Sequence, residues 1–534
     1  MPKPVFVREA TGLVRNFSLF DLIWINLGMQ GIQFAFVFVS STAPLMGGDV
    51  LTAALISFVL LLVVALSIGL VGTITPRSAG EYVFTSRYVN PSLGFISNGV
   101  FYVVQPFLGT AITLSAINFI GFAPLFSYLG QAANNLTLTN WGNLLSVDPT
   151  SQYIVGAVFT ILIVAIPVLG NRVFKLANKI ALPFILFTFL LVLAILVVTP
   201  QNVALDRLNT FAGNSSMVSG MNSWGAQNNS PVPSITDFGN TIRLAGLFGA
   251  NLFGTAVFAV YFAGETKEVS KTLPLAMVIS LASMTVLYAA GVLLSYNTFG
   301  YVFLSNLYTK SINFGLSPFA VTPYTTYLAA IISNNMVIGG FILVGQLLMN
   351  FWYTMNVVAL GGRLLLSYSF DRIVPEFFSD VSDRFHVPVK GMIVTLILGL
   401  GAAVFYIFSS TAAIAFILYD VFVSVMFIFP IALVGVGLLL YKYRRRAEYE
   451  KSMASISFYR KFYDIIAIGA IVAGVFFFWD YLTTPAFLGT IGAEGFESIA
   501  VILVGLFAMF QLSKYLNKRR GIDFSLIFSA IPPE

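Results

Sequence analysis

Two stretches decide how this chain folds: NLGMQGIQF at residues 26–34 and GLFGANLFGTAV at residues 246–257. Each lies inside a long apolar run, and each is interrupted by glycines and by amide side chains. Glycine weakens a helix by about 1 kcal/mol relative to alanine. Asn26, Gln30 and Gln33 are costly in hydrocarbon unless they face protein or water. Small residues and amides at a helix–helix contact would look the same taken singly. Their pairing is what decides, because paired interruptions in corresponding spans mark helices broken at mid-bilayer, whose bare peptide groups bind a solute.

Working outward, the 534 residues are 58% hydrophobic and only 9% charged, with a mean hydropathy of +0.88. A water-facing surface needs about 25% charged residues, so a soluble domain is excluded. The chain has no cysteine and one histidine, His386, which rules out disulfides, thiolate sites and multi-histidine metal centres. No Gly-Lys-Ser/Thr phosphate loop or clustered acids mark an enzyme, and no cofactor is expected beyond a coupling proton or sodium ion.

Apolar windows of about 20 residues fall near 18–42, 50–75, 92–122, 152–170, 176–199, 241–263, 274–300, 335–370, 389–408, 412–441, 462–483 and 495–516. The basic segment Met1 to Arg15 precedes an apolar run too long for a signal-peptide core, so it leads into a retained first span. Twelve spans place both termini on one side. Of 28 Lys and Arg residues, only Arg207, Arg243 and Lys310 fall on the other side, and the positive-inside rule then puts the termini in the cytoplasm. The basic run Lys442, Arg444, Arg445 and Arg446 reads as a topology anchor, which removes the case for a nucleic-acid partner. Sequons at Asn135, Asn214 and Asn228 lie outside in this topology.

The two interrupted stretches sit five spans apart, so one enters from the cytoplasm and the other from outside. That relation is the one an inverted five-plus-five repeat requires. It divides the chain into a cytoplasmic N-terminus (1–17), a first five-helix repeat (18–199), an outer loop (200–240), a second repeat (241–441), a cytoplasmic loop with spans 11 and 12 (442–516), and a cytoplasmic tail (517–534).

Further motifs carry a family resemblance. The segment PRSAGEYVFTSRYVNPSLGF (76–95) resembles the loop after span 2 in amino acid–polyamine–organocation (APC) transporters. AGETKEVSKTLP (263–274) is similar to their stretch after span 6, and RLLLSYSFDRIVP (363–375) with Pro388 to their signature ending span 8. The tail GIDFSLIFSAIPPE (521–534) resembles the ends of archaeal members. The resemblance implies an all-α polytopic membrane protein of the LeuT type: ten core helices with spans 1 and 6 broken, plus two, in the plasma membrane as a monomer or homodimer. The family's Gly-Ser-Gly-Ile-Phe in span 1 is not present as written, and its Gly-Phe-Glu in span 6 becomes Gly254-Thr255-Ala256 or Thr255-Ala256-Val257, without the acid. No lysine stands near Ile185, where proton-coupled members carry one in span 5.

The implied function is transport of amino acids, with neutral ones favoured, across the plasma membrane by alternating access, as ion-coupled symport. A polyamine or amine antiporter, or an uncoupled channel or sensor on the same scaffold, is the alternative. The substrate carboxylate is expected at amides of Met29, Gln30, Gly31, Ile32 and Gln33, near a helix end of positive dipole. Its ammonium is expected at carbonyls of Phe253, Gly254, Thr255 and Ala256. With no acid at mid-depth in spans 1, 3 or 6, neutral amino acids are favoured. Asp420, the one carboxylate read as lying well inside a span, is a coupling or gating candidate. Tyr353 and Thr354 fall where sodium sits in sodium-driven relatives. Glu81, Arg87, Glu265, Lys267 and Asp371 sit at helix exits and are candidates to lock the cytoplasmic gate by pairing.

Overall fold

In the computed structural model, residues 12–230, 232–408, 427–453 and 456–532 are described. Among them the chain is helical throughout, with a single isolated bridge between Phe17 and Thr266. Ten helices are long and apolar enough to cross a bilayer, and a bent pair counted as one span makes eleven. The expected tenth span begins among residues 409–426, outside the described residues. So does Asp420, whose expected role is left where the sequence put it.

Span 1 is the bent pair: helices Leu19–Gln30 and Ile32–Met46 meet at Gly31 with a 42° change of direction. Its start is fixed by a capping box, Ser18 and Asp21 satisfying each other's backbone amides. Span 2 runs Val50–Ile74, span 3 Pro91–Ala132, span 4 Pro149–Val168, span 5 Asn171–Val198 and span 6 Phe238–Glu265. Span 7 runs Val269–Phe299, span 8 Met336–Phe370, span 9 Val389–Phe408, span 11 Tyr459–Thr483 and span 12 Ile499–Arg519. Spans 4 and 5, contiguous in hydropathy, are separated by Gly170, whose φ of +104° suits glycine. Span 3 is wound as π-helix at Val103–Leu108 and Ile117–Phe122. Such turns often sit at functional sites.

Spans 6, 7 and 11 pack on span 2, and span 8 packs on spans 4, 5 and 9. This arrangement makes spans 1, 6 and 8 interior. Asn26, Gln33, Asn350 and Asn356 are fully buried, while Leu51, Leu55, Ile161, Leu162, Phe405 and Val501 on peripheral spans are exposed. Apolar outside and polar inside is the pattern lipid imposes.

Segments assigned to one side from their charge converge at one end. Asn16 and Phe17 bond to the Glu265 carbonyl, and Lys175 to Asn16. Arg87 reaches Asp371, and Arg77 reaches the tail at Pro532. At the other end Tyr301 bonds to Pro233, and Arg207 to Ile332. The stretches read as outer loops carry helices of their own, Leu136–Val147, Gln201–Phe211 and Met217–Gln227. Asn135 caps the first of them, its side chain accepting from the Leu138 amide, a residue type that by composition alone reads as loop.

Candidate functional site

The break in span 1 is a glycine problem. Gly31 adopts φ +72° and ψ +73°, the left-handed conformation that ends helices, and its amide still reaches Leu27 while its carbonyl receives Ala35. The helix therefore stops and restarts across one residue. The first-turn amides of Ile32–Met46 lie there without partners in their own helix. Beside them the Phe34 ring stacks on Tyr353 with centroids 5.3 Å apart, and the Tyr353 hydroxyl donates to Gln105 Oε1 at 2.7 Å.

Span 6 changes winding instead of bending. It is α-helical to Val257 and 3-10 from Phe258 to Glu265. Just before that change the Gln30 side chain enters from span 1. Its Oε1 accepts from the Thr255 amide at 3.2 Å, and its Nε2 donates to the Asn251 carbonyl. Residues four apart bond to each other in an α-helix, so the Gln30 amide clips onto both groups of one rung of span 6. Asn26 Nδ2 takes the Thr255 carbonyl one turn away, at 3.0 Å. The helix stays α-helical through this pair and on to Val257, with the Phe258 amide on the Gly254 carbonyl. Gly254 makes room: a Cβ there would stand 2.6 Å from Gln30 Oε1 and 2.3 Å from Phe258 Cε2.

Gln30, Gly31, Gly254 and Thr255 are thus brought together. Met29, Ile32, Phe253 and Ala256 are buried beside them in sequence, and the Ile32 carbonyl accepts from Tyr288. Gln33 turns away, donating to Thr188 Oγ1 at 2.9 Å and to the Ile185 carbonyl at 3.3 Å. Thr354 faces span 3, bonding to Thr113 at 2.7 Å. Where spans 1, 5 and 8 meet at Gly28, the polar pair is Asn178 and Asn356, linked at 3.4 Å. Neither was named as a site residue from the sequence, although Asn356 stands only two residues beyond Thr354.

The helix exits carry buried charge. Arg87 grips Asp371 with two nitrogens at 2.6 and 2.5 Å, and the Tyr82 hydroxyl donates to the same carboxylate. Arg363 holds Glu265 through Nε at 2.6 Å and Nη2 at 3.2 Å, with Asn171 donating to that carboxylate and the guanidinium lying 4.3 Å above the Phe262 ring. Such two-pronged pairs are the strong kind, and breaking one buried partner is severe. Of the five sequence candidates, Arg87 and Asp371 pair with each other. Glu265 takes Arg363, which belonged to a quoted motif but was not named as a gate residue. Lys267 is exposed, and Glu81 meets only neutral donors.

A second intramembrane acid escaped the sequence reading. Asp480 on span 11 is fully buried, with its carboxylate against Gly246, where a Cβ would stand 1.6 Å from Oδ2. Thr484 Oγ1 approaches its Oδ1 at 3.4 Å. It lies near the end of span 11, and the sequence reading did not single it out.

Residues 17–513 match the family model described as amino acid permease. No curated protein matches the chain. The match takes in both interrupted spans and all three exit motifs. Permeases of this family are transporters, not enzymes, and the apolar helices make this one a multi-pass protein, placed in the plasma membrane. The chain belongs to the amino acid permease family, within the amino acid–polyamine–organocation superfamily.

Proposed function

We propose that this permease carries neutral amino acids across the plasma membrane by ion-coupled symport, alternating access around the junction of spans 1 and 6. The reading takes the first ten spans as an inverted five-plus-five repeat of the LeuT type, spans 11 and 12 as additions, and both termini as cytoplasmic. The observation that carries it is the Gln30 bridge between Asn251 and Thr255, beside the left-handed Gly31. One helix breaks and the other changes winding beside the same place, and in this reading the peptide groups at both points serve one solute.

A zwitterion fits that place. Its carboxylate goes to the first-turn amides after Gly31, at the positive end of a helix. Its ammonium goes to carbonyls of Phe253 to Ala256. Each carbonyl has two lone pairs, so the Thr255 oxygen can keep Asn26 while accepting a second donor. The side chains at the junction, Met29, Phe34, Phe253, Phe258 and Tyr353, are apolar or aromatic, which favours a neutral substrate side chain over a cationic one. Arg87–Asp371 and Arg363–Glu265 then act as the cytoplasmic lock, opened and remade in each cycle. A coupling proton or sodium ion fits the buried polar groups on spans 1, 5 and 8, with Tyr353, Thr354 and Asp420 as the remaining candidates.

Direct binding tests this. Purified protein should bind labelled neutral amino acids in competition with unlabelled neutral ones, with arginine, lysine and putrescine competing at least tenfold more weakly. Equal or stronger competition by the cations would overturn the neutral reading and favour an amine carrier.

A further inference from the structure

The short helix Gly80–Tyr88, at the end that carries the termini, holds a carboxylate without a cation. Glu81 is fully buried. Its Oε2 accepts from Asn98 Nδ2 at 2.6 Å and from the Tyr261 hydroxyl at 3.2 Å, while its Oε1 has no hydrogen-bonding partner among the described residues. Asn98 accepts in turn from the Tyr368 hydroxyl at 2.6 Å. One carboxylate thereby ties together the loop helix, span 3, the 3-10 half of span 6 and span 8.

The surrounding charges are engaged elsewhere. On its own helix Arg87 is bound to Asp371, and on span 8 Arg363 is bound to Glu265. On the helix Leu433–Arg444, which packs on Gly80–Tyr88, Lys442 is bound to Asp464 and Arg444 is exposed. On span 12, which packs on span 3, Lys514 and Lys518 are exposed. Span 2 contributes no charged residue. The titratable groups facing Glu81 are the hydroxyls of Tyr261 and Tyr368, with Tyr82 turned to Asp371. Asp371 and Glu265 each have an arginine; Glu81 has two neutral donors. A buried carboxylate without a counter-charge favours its neutral form. Burial pushes its carboxyl up to about 7, against the pull of the Asn98 and Tyr261 hydrogen bonds.

We propose that Glu81 is a proton-binding site of the gate, and that its proton sets how tightly the loop helix packs on spans 3, 6 and 8. A proton from the aqueous phase at the termini's end bonds to Oε1, converting carboxylate to carboxylic acid and removing one negative charge from the cluster. Release returns that proton to the same phase and leaves an unpaired buried charge, which draws water in and loosens the helix. Proton binding follows from the Glu81 cluster alone; its consequence for transport rests on the carrier reading above.

Infrared difference spectra of the full-length protein against pH test it. The carbonyl stretch of a water-shielded carboxylic acid should grow as pH falls through about 7, and Glu81→Gln should lack that band. Asn98→Ala, which removes a donor to the ionised form, should move the midpoint upward by about one pH unit. A Glu81→Gln spectrum identical to wild type overturns the proposal, and so does an unmoved midpoint in Asn98→Ala should the glutamine variant not fold. In liposomes, uptake of a labelled neutral amino acid should lose its dependence on cytoplasmic-side pH in Glu81→Gln. A titrating band in a protein that transports no amino acid would sink the carrier reading and leave the proton site standing. Transport with no titrating band does the reverse.

Discussion

Gly254→Ala puts the junction of spans 1 and 6 under direct test. The added methyl would stand 2.3 Å from Phe258 Cε2 and 2.6 Å from Gln30 Oε1, well inside contact distance. The Phe258 ring is buried and packed edge-on or tilted against Phe253 and Phe101, with centroids 6.3 and 5.9 Å away. It cannot swing aside without disturbing both. Overpacking of that kind costs about 1–3 kcal/mol. Displacing Gln30 Oε1 strips the buried Thr255 amide of its acceptor from span 1, a further penalty of about 1–3 kcal/mol. Since 1.4 kcal/mol is about tenfold, the combined cost predicts a loss of 30-fold or more in the rate of amino acid exchange, using about 2 kcal/mol as the floor. The assay is exchange of labelled amino acid in liposomes, normalised to protein inserted and compared with Gly220→Ala, where nothing lies within 4 Å. Exchange by Gly254→Ala within twofold of that control would refute the reasoning.

Gly31→Ala must hold alanine at φ +72°, costing about 1–2 kcal/mol, and should lower both the melting temperature and substrate binding; a wild-type melt would count against the left-handed break. Arg363→Gln leaves Glu265 buried without its partner and should destabilise by about 3–5 kcal/mol, partly recovered in the double variant with Glu265→Gln. Thermal unfolding in detergent reads this, and additive losses would contradict the pairing. Asp420→Asn should abolish uptake driven by a pH gradient while sparing substrate exchange; intact gradient-driven uptake removes Asp420 from the coupling scheme. Glu81 gives a pH dependence of stability. Its folded value of about 7 exceeds the ordinary 4.5, so the folded form holds a proton that the unfolded form releases. The resulting stability is fully present below pH 4.5 and lost as pH rises through about 7. Melting temperature should fall across that window in wild type and less in Glu81→Gln, and parallel curves would refute it.

What the sequence disclosed follows from how local each signal is. The break at Gly31 was legible only through its pairing with the interrupted stretch five spans on, since glycine and amides in one apolar run alone also suit helix packing. Apolar length gave away the spanning helices. The Gln30 bridge was not legible, because it joins residues more than 200 apart in sequence. Gln33, three residues on, looks equivalent to Gln30 in sequence and points to span 5 because the restarted helix rotates it away. The Arg363–Glu265 pair spans 98 positions, so composition could offer the charges but not their partners. Asp480 was not singled out from the sequence, because only its packing against Gly246 reveals its burial. Helices in the outer loops were hidden because they gain their stability by packing on neighbouring helices, not from hydrophobic periodicity.

Counterflow into liposomes preloaded with a neutral amino acid addresses the central claim, with proton and sodium gradients imposed in turn. Transient accumulation of the labelled amino acid above equilibrium is the predicted result, with net uptake strengthened by one of the two gradients. Labelled substrate that only equilibrates, or crosses equally well in Gly31→Ala and Gly254→Ala proteins, would contradict a carrier built on two interrupted helices.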